Sequence, residues 1–336
     1  MPNPILVEVT RGPLVESFHT GAVVVAGPSG ATRLSLGDIA RPVFPRSAIK
    51  LIQALPLIET GAADRFGFGD AEIALACGSH VGAERHVAVG RAMMAQLSLD
   101  EAALACGPAE PLGTGARRAL AAKGCQPTAF HHNCSGKHAG MLAAALTMAA
   151  PITGYTEATH VVQQHVHQAL ADLTGDTLAA DACGVDGCCV PTWALPLETL
   201  ARLFAKIASG EGLSVARRAS VKRLLRACWA EPELVAGPGR ADTVVMAALP
   251  GRIYMKTGAE GVYCGALPEL GLGFAVKIDD GAQRASAATV MPLIEKLLPE
   301  ARGLVKRSIL KTPDGREVGT IRTSLAYERA LESLRI

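Results

Sequence analysis

Phe44-Pro45-Arg46-Ser47-Ala48-Ile49-Lys50 and, far downstream, Met255-Lys256-Thr257-Gly258 are the two stretches that decide how this chain is read. The first carries S-x-x-K at the expected start of a helix. Positions i and i+3 share a helix face, so the Lys50 amine reaches the Ser47 hydroxyl. A serine attacks only once a base takes its proton. A lysine is such a base only where burial or nearby cations favour its neutral form. Arg46 is a cation next to it in sequence. The free N–H groups of a helix N-terminus are candidates to stabilise an oxyanion. Alone, S-x-x-K is a common pattern, since a capping serine and a surface lysine produce it too. The second stretch places Lys256 on a predicted strand at a sheet edge facing the serine's helix. Gly258 allows a close backbone approach there.

Outward from these stretches, both ends of the chain read as strands. Ile5–Val9 is apolar and β-branched, and Val15–Ala26 and Ala31–Leu36 flank the turn Gly27-Pro28-Ser29-Gly30. Strands return after Gly251, at Arg252–Lys256, Gly261–Ala266 and Gly273–Ile278, with a helix at Gln283–Leu298 and a late strand at Val318–Ser324. Between them, from Ser47 to Trp229, the apolar spacing is helical. The expected architecture is α+β. One antiparallel sheet is assembled from both termini, and a mostly helical lobe is inserted between them. Residues 1–44 with 240–336 form the sheet part, and residues 45–239 the helical part.

Composition narrows the function classes. The chain has 336 residues, 49% hydrophobic and 19% charged, enough for a substantial core and unlike a disordered chain. A net charge of +2 argues against a nucleic-acid partner. No apolar run spans a bilayer, and the first residues lack the pattern of a signal peptide. The nine cysteines are an odd, scattered set that fits a reducing cytoplasm.

Two further segments are dense in reactive side chains. Cys77-Gly78-Ser79-His80 ends an apolar run abruptly, as at a turn that presents a residue, or as a capped helix end. His131-His132-Asn133-Cys134-Ser135-Gly136-Lys137-His138 precedes an Ala-rich helix, and Asp186-Gly187-Cys188-Cys189 sits in a later turn. Two thiolates with nitrogen or carboxylate donors suit Zn2+. Local chemistry points to Cys134, His138 and Cys188, with Asp186 as a further donor. Buried free thiols are the competing explanation.

S-x-x-K followed by K-T-G is the pairing of penicillin-recognising serine enzymes. Taken together, P-R-S-A-I-K (45–50), C-G-S-H (77–80), H-N-C-S-G-K-H (132–138) and C-G-V-D-G-C (183–188) resemble the Rhizobium etli-type L-asparaginase family, also called class 3 or asparaginase II. The resemblance covers nearly the whole chain. It implies a fold similar to serine β-lactamases and glutaminases, and hydrolysis of L-asparagine by a cytoplasmic homodimer. It implies Ser47 as nucleophile with Lys50 as its base, and Ser79 paired with Lys256. It implies zinc held by Cys134, Lys137 and Cys188, displacing His138 from the local set. Asp186 is then the candidate for the substrate ammonium, and Arg46 for its carboxylate. Two other readings are a β-lactamase or transpeptidase, and a zinc-dependent thiol protein without turnover. The first is disfavoured by the missing export signal and S-x-N motif. The second rests only on the cysteine-rich stretch 181–189.

Overall fold

The computed structural model describes residues 2–175, 178 and 180–335. The chain forms two compact units, one of Met1–Ala48, Ala194–Gly212 and Met255–Ile336, the other of Ile49–Trp193 and Leu213–Tyr254.

Among the described residues the strands are β1 (Ile5–Arg11), β2 (Leu14–Ala26), β3 (Thr32–Leu36), β4 (Pro42–Val43), β5 (Cys183–Val185), β6 (Pro191–Trp193), β7 (Leu195–Pro196), β8 (Tyr254–Thr257), β9 (Val262–Leu267), β10 (Leu272–Ile278), β11 (Ile309–Lys311) and β12 (Glu317–Thr323). The main sheet runs β11-β12-β1-β2-β10-β9-β8, with β3 also paired to β2. Strands from the two ends of the chain meet in antiparallel ladders: Val9 opposes Ile321, and Val24 opposes Ala275. The sequence thus folds as α+β, with one sheet built from both termini.

Val23, Val24 and Val25 are all fully buried, which is the run expected of a strand covered on both faces. The helix Leu197–Ser209 lies against β2 and β10. It comes so close that a Cβ on Gly273 would strike the backbone of Ala201 and Ala205. The helices Gln283–Leu297 and Leu325–Ser333 also pack on this unit's sheet. They are joined by the buried Tyr327 hydroxyl, which donates to Thr289 O at 2.9 Å.

The helical unit is organised around Ser135–Thr147, buried continuously from Ser135 to Ala145. It crosses the helix Asp70–Ala76 in direct backbone contact. A Cβ on Gly136 would lie 2.5 Å from Leu75 O, and one on Gly140 would lie 3.2 Å from the Ala76 Cβ. This crossing sets the end of one helix, where Gly78–His80 begins, beside the start of the other, capped by Cys134. Among the described residues no helix is long and apolar enough to cross a membrane.

Three helices of this unit converge on Glu59. Arg217 Nε pairs with one carboxylate oxygen, and His165 Nε2 lies 2.7 Å from the other. Burial alone would raise the Glu59 pKa. The hydrogen bond to His165 and the charge of Arg217 outweigh it and hold the carboxyl below its ordinary range. A carboxyl with a lowered folded pKa contributes stability that is present above its unfolded value and lost as pH falls through the folded one. Glu59→Gln should therefore cost about 2–3 kcal/mol at pH 7. The penalty should shrink below about pH 4, where glutamate in the unfolded chain is already protonated. Urea unfolding of both proteins at pH 7 and pH 3.5 checks this; equal penalties at the two values would refute it.

Candidate active site

In the sheet unit, Arg46–Ile49 form a 3-10 turn that continues as α-helix from Lys50. Ser47 lies inside this turn, and Lys50 is the first residue of the helix that follows it. Arg46 has φ +52°, a left-handed backbone that a non-glycine residue adopts at a cost. Ser47 is half-buried. The Ala48 N–H donates to Pro45 O at 3.1 Å, so this one amide of the turn is taken and is not an oxyanion donor. Lys256 is fully buried on the edge strand β8. Just beyond it, Gly258 meets the Ser47 turn directly: a Cβ there would sit 2.7 Å from Pro45 O and 3.2 Å from Ala48 N. The glycine of K-T-G is thus what lets the end of β8 close on the serine turn.

In the helical unit, Lys50 is fully buried. Its Nζ donates to Gly78 O and, at 3.3 Å, to Asn133 O. Gly78 is held where no side chain fits, with Leu234 O 2.5 Å from the place a Cβ would take. Ser79 follows with its N–H on Val235 O at 2.7 Å, and the His80 N–H goes to Asn133 O at 3.2 Å. The backbone N–H groups of Ser79 and His80 are therefore both engaged. Its side-chain hydroxyl is buried, yet it has no hydrogen-bond partner among the described residues.

The helical unit also assembles the cysteines. Cys134 caps the helix Ser135–Thr147, and Lys137 lies in its first turn. The hairpin β5–β6 turns at Asp186–Cys189, where Gly187 N donates to Asp186 Oδ1 at 2.6 Å and Cys189 takes φ +70°. That turn delivers Cys188 to Lys137, with Nζ 2.9 Å from Sγ. Cys134, Lys137 and Cys188 are all buried. A hydrogen bond from Cys188, together with the charges of Lys50 and Lys137, holds the Cys134 thiol well below its usual pKa despite burial. The same hydrogen bond, along with burial, pushes Cys188 up. Burial opposes the charge on Lys137, but the sulfurs of Cys134 and Cys188 outweigh it and raise its pKa.

His138, the nitrogen donor that local chemistry favours, turns elsewhere. Its Nδ1 lies 2.6 Å from the Tyr155 hydroxyl, which itself accepts the Ala105 N–H at 2.9 Å. The tyrosine proton therefore points to His138, and burial keeps the ring neutral. Among the described residues no three His, Cys, Asp or Glu side chains gather as a metal-ligating group. The set of Cys134, His138, Cys188 and Asp186 does not assemble.

Two histidines that the sequence does not single out complete the surroundings of Ser79. His80 Nε2 is 2.9 Å from Ser135 Oγ, and its ring stacks on His86 with centroids 4.8 Å apart. His80 stands in the C-G-S-H motif. His86 lies inside a helix, and nothing in its spacing marks it.

No curated protein matches the chain. Among solved structures, the crystal structure of Mglu in its native form in 4.3 M NaCl is 15% identical, over 93% of this chain and 70% of that one, with a TM-score of 0.46. The family described as L-asparaginase II matches residues 7–323. That span takes in both serine motifs, the buried lysines and the cysteine cluster, and the chain belongs to the L-asparaginase II family.

Proposed function

We propose that the chain hydrolyses the side-chain amide of L-asparagine by serine–lysine acyl transfer. The observation that carries the reading is the Ser79 hydroxyl. Native proteins pair nearly all their buried polar atoms, and one left unpaired in a tied loop calls for a functional explanation. The loop is fastened by a buried lysine, and the family is one of asparaginases.

In this reading Ser47 Oγ attacks the amide carbonyl while Lys50, in its neutral form, takes the hydroxyl proton. The tetrahedral intermediate collapses. Ammonia leaves with a proton supplied through Ser79 and Lys256, and water hydrolyses the aspartyl ester. Arg46 binds the substrate carboxylate and Asp186 its ammonium. Fixing both ends positions the β-amide, and glutamine's longer side chain overshoots.

The donor set of the cysteine cluster, two sulfurs and an amine nitrogen, fits Zn2+. Cys134, Lys137 and Cys188 would hold it, and the metal would supply local positive charge and a rigid anchor for the β5–β6 turn.

Steady-state ammonia release tests the serine roles. Ser47→Ala and Ser79→Ala should each lose about 10³-fold in kcat/KM. Rapid quench and peptide mass spectrometry should find the aspartyl ester on the Ser47 peptide. An ester on the Ser79 peptide would exchange the two roles, and two fully active variants would end the serine reading. Asparagine should be preferred over glutamine by about 10²-fold, more than one methylene supplies alone; equal kcat/KM would remove the two-ended clamp.

Metal content tests the cluster. Lys137→Ala, purified and analysed by elemental mass spectrometry, should lose most of its zinc, while His138→Ala keeps it. The reverse pattern would return the site to histidine.

A further inference from the structure

The reading of Ser79 as part of the machinery leaves open what holds its hydroxyl in place, and the fully buried His80 beside it is not used by that mechanism. Both ring nitrogens of His80 are committed. Gly82 N donates to Nδ1 at 3.1 Å, so the ring proton sits on Nε2 and is donated to Ser135 Oγ at 2.9 Å. Ser135 Oγ passes its own proton to Phe130 O at 3.2 Å. His80 therefore ties the Ser79 loop to the start of the helix Ser135–Thr147.

His86 makes a parallel set of bonds. Its Nδ1 accepts the Ala83 N–H at 3.1 Å, and its Nε2 donates to Glu233 O at 2.9 Å. Glu233 lies two residues before Val235, whose carbonyl takes the Ser79 N–H at 2.7 Å. The two rings stack at 12°. Each thus fixes the loop against a different neighbour, and each needs a free Nδ1 lone pair to do so. Burial lowers the pKa of both imidazoles, and each cation would repel the other. Two neutral rings of one tautomer are the arrangement that every contact requires.

We propose that His80, braced by its stack on His86, is a positioning residue that holds the Ser79 hydroxyl in register through the loop backbone. This rests on the reading of Ser79 given above. His80 touches no reacting atom. It acts by tying the residue that follows Ser79 to the start of the helix Ser135–Thr147. The consequence belongs to the chemical step and not to substrate binding, because the substrate clamp assigned above uses other residues.

The test is steady-state ammonia release from asparagine by the full-length protein as purified, with unfolding followed in parallel. His80→Ala should lower kcat by about 30–100-fold, the size expected for a misplaced reacting group, with KM changed less than about threefold. His80→Gln should recover at least about tenfold of that loss, since its amide N–H sits near the imidazole Nε2 and can reach Ser135. Ser135→Ala approaches the same contact from its other partner and should lower kcat by at least about fivefold. It decides the matter if His80→Ala does not fold. A general packing defect would lower stability without rescue by glutamine. A His80→Ala or Ser135→Ala protein with wild-type kcat, or a glutamine variant no better than alanine, overturns the positioning role. Ser79→Ala, assayed beside them, separates the two levels. If it is active, the role of Ser79 falls and His80 with it. If it is dead while His80→Ala is fully active, only the positioning role falls.

Discussion

A lysine amine with no exposed surface must find hydrogen-bond acceptors, or it destabilises the fold that buries it. For Lys50 these come from the backbone, the carbonyls of Gly78 and Asn133. Side-chain acceptors would have left the loops free. Backbone acceptors oblige two loops to converge on one nitrogen, and the rest of the helical unit is arranged to let them. The glycine at 136 allows two helices to touch, and the glycine at 78 lets the loop pass under Leu234 O. Asn133 O takes the His80 N–H as well as the lysine. One buried amine thus ties the C-G-S-H loop to the segment that precedes the cysteine-bearing helix.

The second buried lysine of that unit shows how surroundings divide the work of like residues. Lys137 stands against sulfur, and the negative charge shared by Cys134 and Cys188 favours its charged form. Lys50 makes its hydrogen bonds to uncharged carbonyls. The sheet unit adds Lys256, whose Nζ donates to Thr257 O at 2.8 Å. Three interior lysines, two bonded to backbone carbonyls and one to sulfur, are unusual in a chain of ordinary charge, since lysine is rarely buried at all.

Much of this was legible in the sequence, where a local physical rule reaches far enough. Val23–Val25 bounded by Gly27-Pro28-Ser29-Gly30 could hardly be other than a buried strand ending in a turn. The closeness implied by Gly258 after Lys256 and Thr257 is present as contact with Pro45 and Ala48. What sequence could not give is direction. Lys137 and His138 sit at compatible spacings from Cys134, and only the rotation of the helix sends one to Cys188 and the other to Tyr155. The helix Leu197–Ser209 has a plain helical pattern, but the residue that shows where it packs, Gly273, lies on a distant strand. The short β11 has too few residues for any period to register. The His80–His86 stack joins a loop to a helix, and no spacing rule describes that.

The sheet assembled from both termini has a consequence for how the chain comes into being. Strands β1 and β2 leave the ribosome long before their ladder partners β12 and β10. At about 5–20 residues per second, Val23–Val25 wait on the order of 13–50 seconds for Phe274–Val276. During that time a β-branched apolar strand has an open edge, the feature that invites wrong pairing. The helical unit has no such wait for its own core and can form while the sheet is incomplete.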